Sequence, residues 1–102
     1  MQDFERLQSR TKRFALRIIT LYRSLPKTEE ARILGKQLLR SGTSVGANYR
    51  AACRTRSRAE FVAKLGVVLE EADESAFWLD LMQEAGIFPE EKLTKSSTKR
   101  TN

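Results

Sequence analysis

The sequence predicts an all-α fold: an antiparallel up-down helical bundle of three long helices plus a truncated fourth. Three observations carry this. Apolar residues recur at three-four spacing in three successive stretches. Each stretch is bounded by a proline, a capping residue or a glycine. The one long run of poor helix formers, Leu38 to Tyr49, keeps the same apolar period as the residues before it.

In the first helix Phe4, Leu7, Thr11, Phe14, Ile18, Leu21 and Leu25 form the stripe, which Ala15, Ile19 and Tyr22 widen. Pro26 ends it, because the residue before a proline is pushed out of the α region, so the turn falls at Ser24-Leu25-Pro26-Lys27. Thr28, followed by Glu29, Glu30 and Ala31, serves as N-cap for a second helix that runs to about Arg54. Its stripe is Ala31, Gly35, Leu38, Gly42, Val45, Tyr49 and Ala52. A helix that accepts Ser41, Gly42, Ser44, Gly46 and Ala47 gives up intrinsic stability, and small side chains repay that loss where another backbone approaches closely.

The third helix starts at a capping box, in which the Ser57 hydroxyl accepts the Glu60 amide proton and Glu60 reaches back to the Ser57 amide. Phe61, Leu65, Val68, Ala72, Ser75, Leu79 and Met82 form its core stripe, with Val62, Leu69, Ala76 and Trp78 on the shoulders. Gly86 stops it in the left-handed conformation. Ile87-Phe88-Pro89 makes an apolar corner, Pro89 opens the first turn of a fourth helix, and apolar residues cease after Leu93. The reading is a helical bundle domain over residues 1–93 and a disordered basic tail over 94–102.

A chain of 102 residues, 40% hydrophobic, has room for one domain with a modest core. The single Cys53 excludes an intrachain disulfide and reads as a small half-buried residue. No signal peptide or membrane-length apolar run is present, which points to the cytoplasm and away from a membrane. The net charge of +6 is unevenly spread. Residues 1–24 carry six basic side chains against two acidic, and residues 25–58 eight against two. Residues 59–91 reverse this with one against nine, and residues 92–102 carry four against none. Either the basic hairpin pairs with the acidic helix, within or between subunits, or it presents a basic face to nucleic acid.

Catalytic chemistry is poorly supplied. The chain has no His, no cysteine pair at metal spacing and no phosphate loop after a strand, so it reads as a non-enzyme without cofactor or metal. Glu70, Glu71, Asp73 and Glu74 form its one carboxylate constellation. Glu70 and Glu74 lie one turn apart with Glu71 beside them, so a paired-carboxylate metal site is conceivable. It is incomplete without ligands from the other helices, and the favoured reading is a partner for arginines of the basic hairpin. Ser41, Ser44 and Asn48 line a polar ridge on helix two beside the apolar stripe, and Glu71, Glu74 and Ser75 are the nearest polar supply on helix three. The ridge either fixes helix register or reads a ligand.

The candidate nucleic-acid contacts are Arg6, Arg10, Arg13 and Arg17, at four-three-four spacing on helix one, with Arg50, Arg54, Arg56 and Arg58 around the end of helix two. Guanidinium groups at helical spacing suit successive phosphates. No aromatic platform interleaves them, which favours backbone-directed, sequence-tolerant binding to RNA or DNA. The other reading is a solvated face on a structural oligomer that docks a protein partner. Wide apolar arcs on helices one and three fit contact with another chain.

Three segments carry a resemblance to a known family: Arg40-Ser41-Gly42-Thr43-Ser44-Val45-Gly46-Ala47-Asn48-Tyr49-Arg50, Ser57-Arg58-Ala59-Glu60-Phe61-Val62-Ala63-Lys64-Leu65, and Glu70-Glu71-Ala72-Asp73-Glu74-Ser75 with Trp78-Leu79. Together they resemble the bacterial four-helix-bundle proteins of the 23S rRNA intervening-sequence family, over roughly residues 4–93. That family is related in fold to the accessory variability determinants of diversity-generating retroelements. The resemblance implies a four-helix protomer, a homopentameric barrel and a role in nucleic-acid binding, with a reverse transcriptase as the kind of protein partner a relative docks. The chain departs from the family pattern after Leu93, where relatives continue into a full apolar fourth helix and this one turns polar.

Overall fold

In the computed structural model, residues 2–88 are described. They form α1 (Gln2–Ser24), α2 (Glu29–Ala52) and α3 (Arg58–Glu84), with no strand among them. The expected fourth-helix turn at 89–93 and the basic tail at 94–102 lie outside the described residues.

Local signals set the helix ends. The Thr28 hydroxyl accepts the Ala31 amide proton at 3.2 Å, which caps α2. The Ser57 hydroxyl accepts that of Glu60 at 3.0 Å and caps α3. The carboxylate of Glu60 meets the Ser57 hydroxyl, at 3.3 Å, and not the Ser57 amide that the capping-box pattern predicts. Helix α2 ends two residues before the predicted Arg54, because the amide and hydroxyl of Thr55 both donate to the Ala52 carbonyl and draw the chain into a turn. At the other end of α3, Gly86 has φ +73° and the Ile87 amide reaches back to the Met82 carbonyl at 3.0 Å, closing a Schellman motif. Ile87 and Met82 are buried in one cluster, which supplies the apolar contact that accompanies this motif.

The run from Leu38 to Tyr49 is helical throughout. Its polar side chains bond to their own helix: Ser41 to the Leu38 carbonyl, Thr43 to that of Leu39 and Asn48 to that of Ser44. Its glycines face α1. A Cβ on Gly42 would lie 2.8 Å from Ile18 Cγ1, and one on Gly46 would lie 3.2 Å from the Thr11 carbonyl oxygen. Small residues thus let α1 settle against α2 at backbone distance.

Helix α2 is the central element and packs against both α1 and α3. Leu25 near the end of α1, Ala31 near the start of α2 and Met82 near the end of α3 share one buried cluster, so the three helices run up, down and up. Toward the opposite end Val45, Tyr49 and Val68 form a second cluster, with Phe14 packed against both. Helices α1 and α3 also meet through the tilted rings of Phe4 and Phe61, whose centroids are 5.6 Å apart.

Two parts of the predicted stripes lie outside the core. Ala72 is exposed, and so are the shoulder residues Val62, Leu69 and Ala76. At the start of α1, Phe4 and Leu7 are also exposed. No described element covers the exposed faces of these residues. A three-helix protomer buries one side of each outer helix against α2 and leaves the remaining apolar arc bare.

Candidate functional site

Three polar features arise from this packing. The first is the stripe of Arg6, Arg10, Arg13 and Arg17 along α1, all four exposed. Their spacing of four, three and four places them within one sector of the helix surface. Arg10, Arg13 and Arg17 surround a shallow depression beside half-buried Phe14.

The second feature gathers Arg50 and Arg54 with a residue that sequence reasoning passed over. Lys12 of α1 faces them across a groove between α1 and α2, and Gly46 and Ala47 of α2 line it. Arg56 and Arg58, in the turn and at the start of α3, are exposed and do not line this groove. The eight arginines proposed from sequence occupy three places in the fold. They divide between an α1 stripe, an α1/α2 groove and the α2–α3 turn. The missed signal was at the end of α2: Arg50 follows Gly46 by one helical turn, on the face that α1 crosses, and Arg54 in the turn after the helix lines the same groove.

The third feature joins α2 to α3. The Ser75 hydroxyl donates to that of Ser41 at 2.9 Å in a fully buried contact. Arg40 reaches both Glu71, at 3.5 Å, and Glu74, and the Glu74 carboxylate also accepts from the Trp78 indole at 3.1 Å. Of the predicted polar ridge, Ser41, Glu71, Glu74 and Ser75 thus lie at the α2–α3 interface. Ser44 and Asn48 are occupied differently from the inter-helix pairing expected for them: the Asn48 amide donates to the Ser44 carbonyl, an i to i−4 bond within α2. Among the described residues, no group of three His, Cys, Asp or Glu side chains could hold a metal ion. No helix there is long and apolar enough to cross a membrane.

The family model of the 23S rRNA-intervening sequence protein matches residues 5–102. The chain belongs to that family. A crystal structure from Bacteroides thetaiotaomicron VPI-5482, described as a protein with unknown function from the S23 ribosomal protein family, superposes with a TM-score of 0.77. The two sequences are 38% identical over 94% of this chain and 88% of that one. Comparison with curated proteins returned no match. Membership of the 23S rRNA-intervening sequence family agrees with the helical fold and leaves the activity to be argued from the surface.

Proposed function

We propose that this protein is a non-enzymatic, cytoplasmic, oligomeric helical-bundle protein that binds the backbone of RNA or DNA through its arginine-rich surface. The supporting observation is the ion-pair pattern. Among the described residues the ion pairs are Arg40 with Glu71 and Arg40 with Glu74, both across the α2–α3 interface. The acidic helix therefore leaves the exposed arginines of α1 free to meet phosphate. A row of fixed cations binds a polyanion by displacing its condensed counterions, without reading bases.

Oligomerisation belongs to the same proposal. Phe4 and Leu7 on α1, and Val62, Leu69, Phe77 and Leu81 on α3, remain exposed, which suits a homo-oligomer such as the pentamer that the family resemblance implies. The same apolar residues favour a second reading, in which the oligomer is an adaptor for a protein partner such as a reverse transcriptase.

Titration of a labelled RNA at two salt concentrations separates the readings. Phosphate binding weakens steeply as salt rises, whereas docking through apolar area does not. Replacing Arg10, Arg13 and Arg17 together with Glu lowers RNA affinity and leaves the melting temperature close to that of the parent, since exposed positions tolerate substitution. Absence of RNA binding at low salt leaves the adaptor reading.

A further inference from the structure

The α1/α2 groove has a composition that the arginine stripe lacks: cations on two facing walls, with small residues between. Lys12 stands on the α1 wall, with Arg50 of α2 and Arg54 of the turn just after that helix on the other. All three are exposed, and none forms an ion pair with another described residue. Ala15, Gly46 and Ala47 line the space of about 560 Å³, so no long side chain fills it. Gln8 and Ser9 add neutral donors from α1.

We infer that this groove is the track that grips the phosphodiester backbone of a single nucleic-acid strand, with Lys12 on one side and Arg50 and Arg54 on the other. The inference rests on the nucleic-acid reading above and assigns the phosphate site within it. Arg50 lies in the last turn of α2 and Arg54 in the turn that follows the helix, four residues on, so they address different phosphates of one strand while Lys12 closes on it from α1. The walls are held at a fixed separation where α1 crosses α2, at Gly46 and the Thr11 carbonyl. That fixed separation distinguishes the groove from a row of solvated side chains.

The groove is not an extension of the α1 stripe. Arg10 lies two residues from Lys12 and therefore roughly 160° around the same helix, so one strand in the groove does not reach both. One carboxylate, Glu5, also lines the groove and opposes a phosphate there. It provides a test of opposite sign.

The experiment is fluorescence anisotropy of the full chain with a short labelled single-stranded RNA of mixed sequence, across a salt series. Each variant is also melted and sized by light scattering. Lys12→Ala with Arg54→Ala weakens binding by about tenfold or more and lowers the salt slope by about 1.4, roughly 0.7 for each phosphate of a single strand that is no longer neutralised. Glu5→Gln strengthens binding several-fold. Arg10→Ala with Arg17→Ala, on the far side of α1, is the comparison pair, and it lowers affinity by less than the groove pair does. The inference is overturned if this comparison pair carries the whole loss while the groove variants bind like the parent; the nucleic-acid reading then survives. It is also overturned if the groove variants change the oligomer size and leave RNA affinity alone, since the groove then holds another copy of the chain. If the parent binds no RNA at low salt, the broader reading falls and the groove assignment with it.

Discussion

The hydroxyls of Ser41 and Ser75 meet at 2.9 Å in the centre of the α2–α3 interface, with 0% and 1% of their residues exposed. Each has one proton. Each also reaches a carbonyl of its own helix, Ser41 that of Leu38 at 3.3 Å and Ser75 that of Glu71 at 2.9 Å, so one hydroxyl donates to the other and the pair is satisfied without water. Two small polar residues therefore favour one distance and one register of the helices, because a shift along either axis breaks the bond between their hydroxyls. Ser75→Ala is expected to lower stability by about 1 kcal/mol, and the Ser41→Ala, Ser75→Ala double variant by less than the sum of the singles. Urea denaturation of the four members of the cycle measures the coupling. Additive losses mean that the hydroxyls do not act as a pair.

The glycines of α2 and α3 separate space from propensity. Gly66 lies in α3 with nothing within 4 Å of where a Cβ would stand, so Gly66→Ala is expected to raise stability by about 0.5–1 kcal/mol. At Gly42 the same methyl meets three carbons of buried Ile18, the nearest at 2.8 Å, and that stiff β-branched side chain has little room to move. Gly42→Ala is expected to cost about 1–3 kcal/mol. Gly46→Ala falls between the two, because the gain in propensity opposes a 3.2 Å contact with the backbone oxygen of Thr11. Gly46→Leu is expected to disrupt the packing of α1. Thermal melts that show the order Gly66→Ala, Gly46→Ala, Gly42→Ala, from most to least stable, support this account; a different order contradicts it.

The legible parts of the chain were those in which one local signal had one local consequence. Thr28 and Ser57 cap their helices and Gly86 ends α3, each through bonds within a few residues. The unusual α2 was legible because its apolar period ran on through Gly42 and Gly46. Positions that depend on a distant neighbour were less so. Ala72 continues the stripe of α3 but is exposed, since only α2 and part of α1 lie over that helix. Asn48 sits on the expected ridge, yet its amide donates to the Ser44 carbonyl one turn back in its own helix. Lys12 escaped notice because its companions are at the end of α2 and in the turn after it, and the spacing of charges within α1 holds no sign of them.

Arg40 links α2 to Glu71 and Glu74 of α3, but its side chain is half exposed to solvent. Water and salt screen such a contact, so Arg40→Ala is expected to cost less than about 1 kcal/mol at moderate ionic strength, with the difference from the parent shrinking as salt is added. Trp78 reports on the same site, since its indole N–H is bonded to Glu74 while its ring meets Phe77 edge-on with centroids 5.1 Å apart. A shift in Trp78 emission without a comparable fall in stability is the expected signature. A loss of several kcal/mol on denaturation means that the ion pairs are shielded from water.

Leu69 is 65% exposed and Val62 is 58% exposed, one heptad apart on the outer side of α3. If the protomer is the working unit, Leu69→Glu replaces an exposed apolar side chain with a charged one and leaves stability within about 0.5 kcal/mol. If α3 packs against another copy, the same change places a carboxylate in an apolar interface and dissociates the assembly. The second outcome is expected, because Val62, Leu69, Phe77 and Leu81 expose more apolar surface on one helix than scattered surface residues account for. Light scattering at several micromolar concentrations decides between them: the parent is expected to exceed the 11.7 kDa of one chain severalfold and the variant to approach it. A parent that already scatters as a single chain contradicts the oligomer. A variant that keeps the parent's size moves the interface to the exposed Phe4 and Leu7 at the start of α1, where Leu7→Glu is the corresponding test.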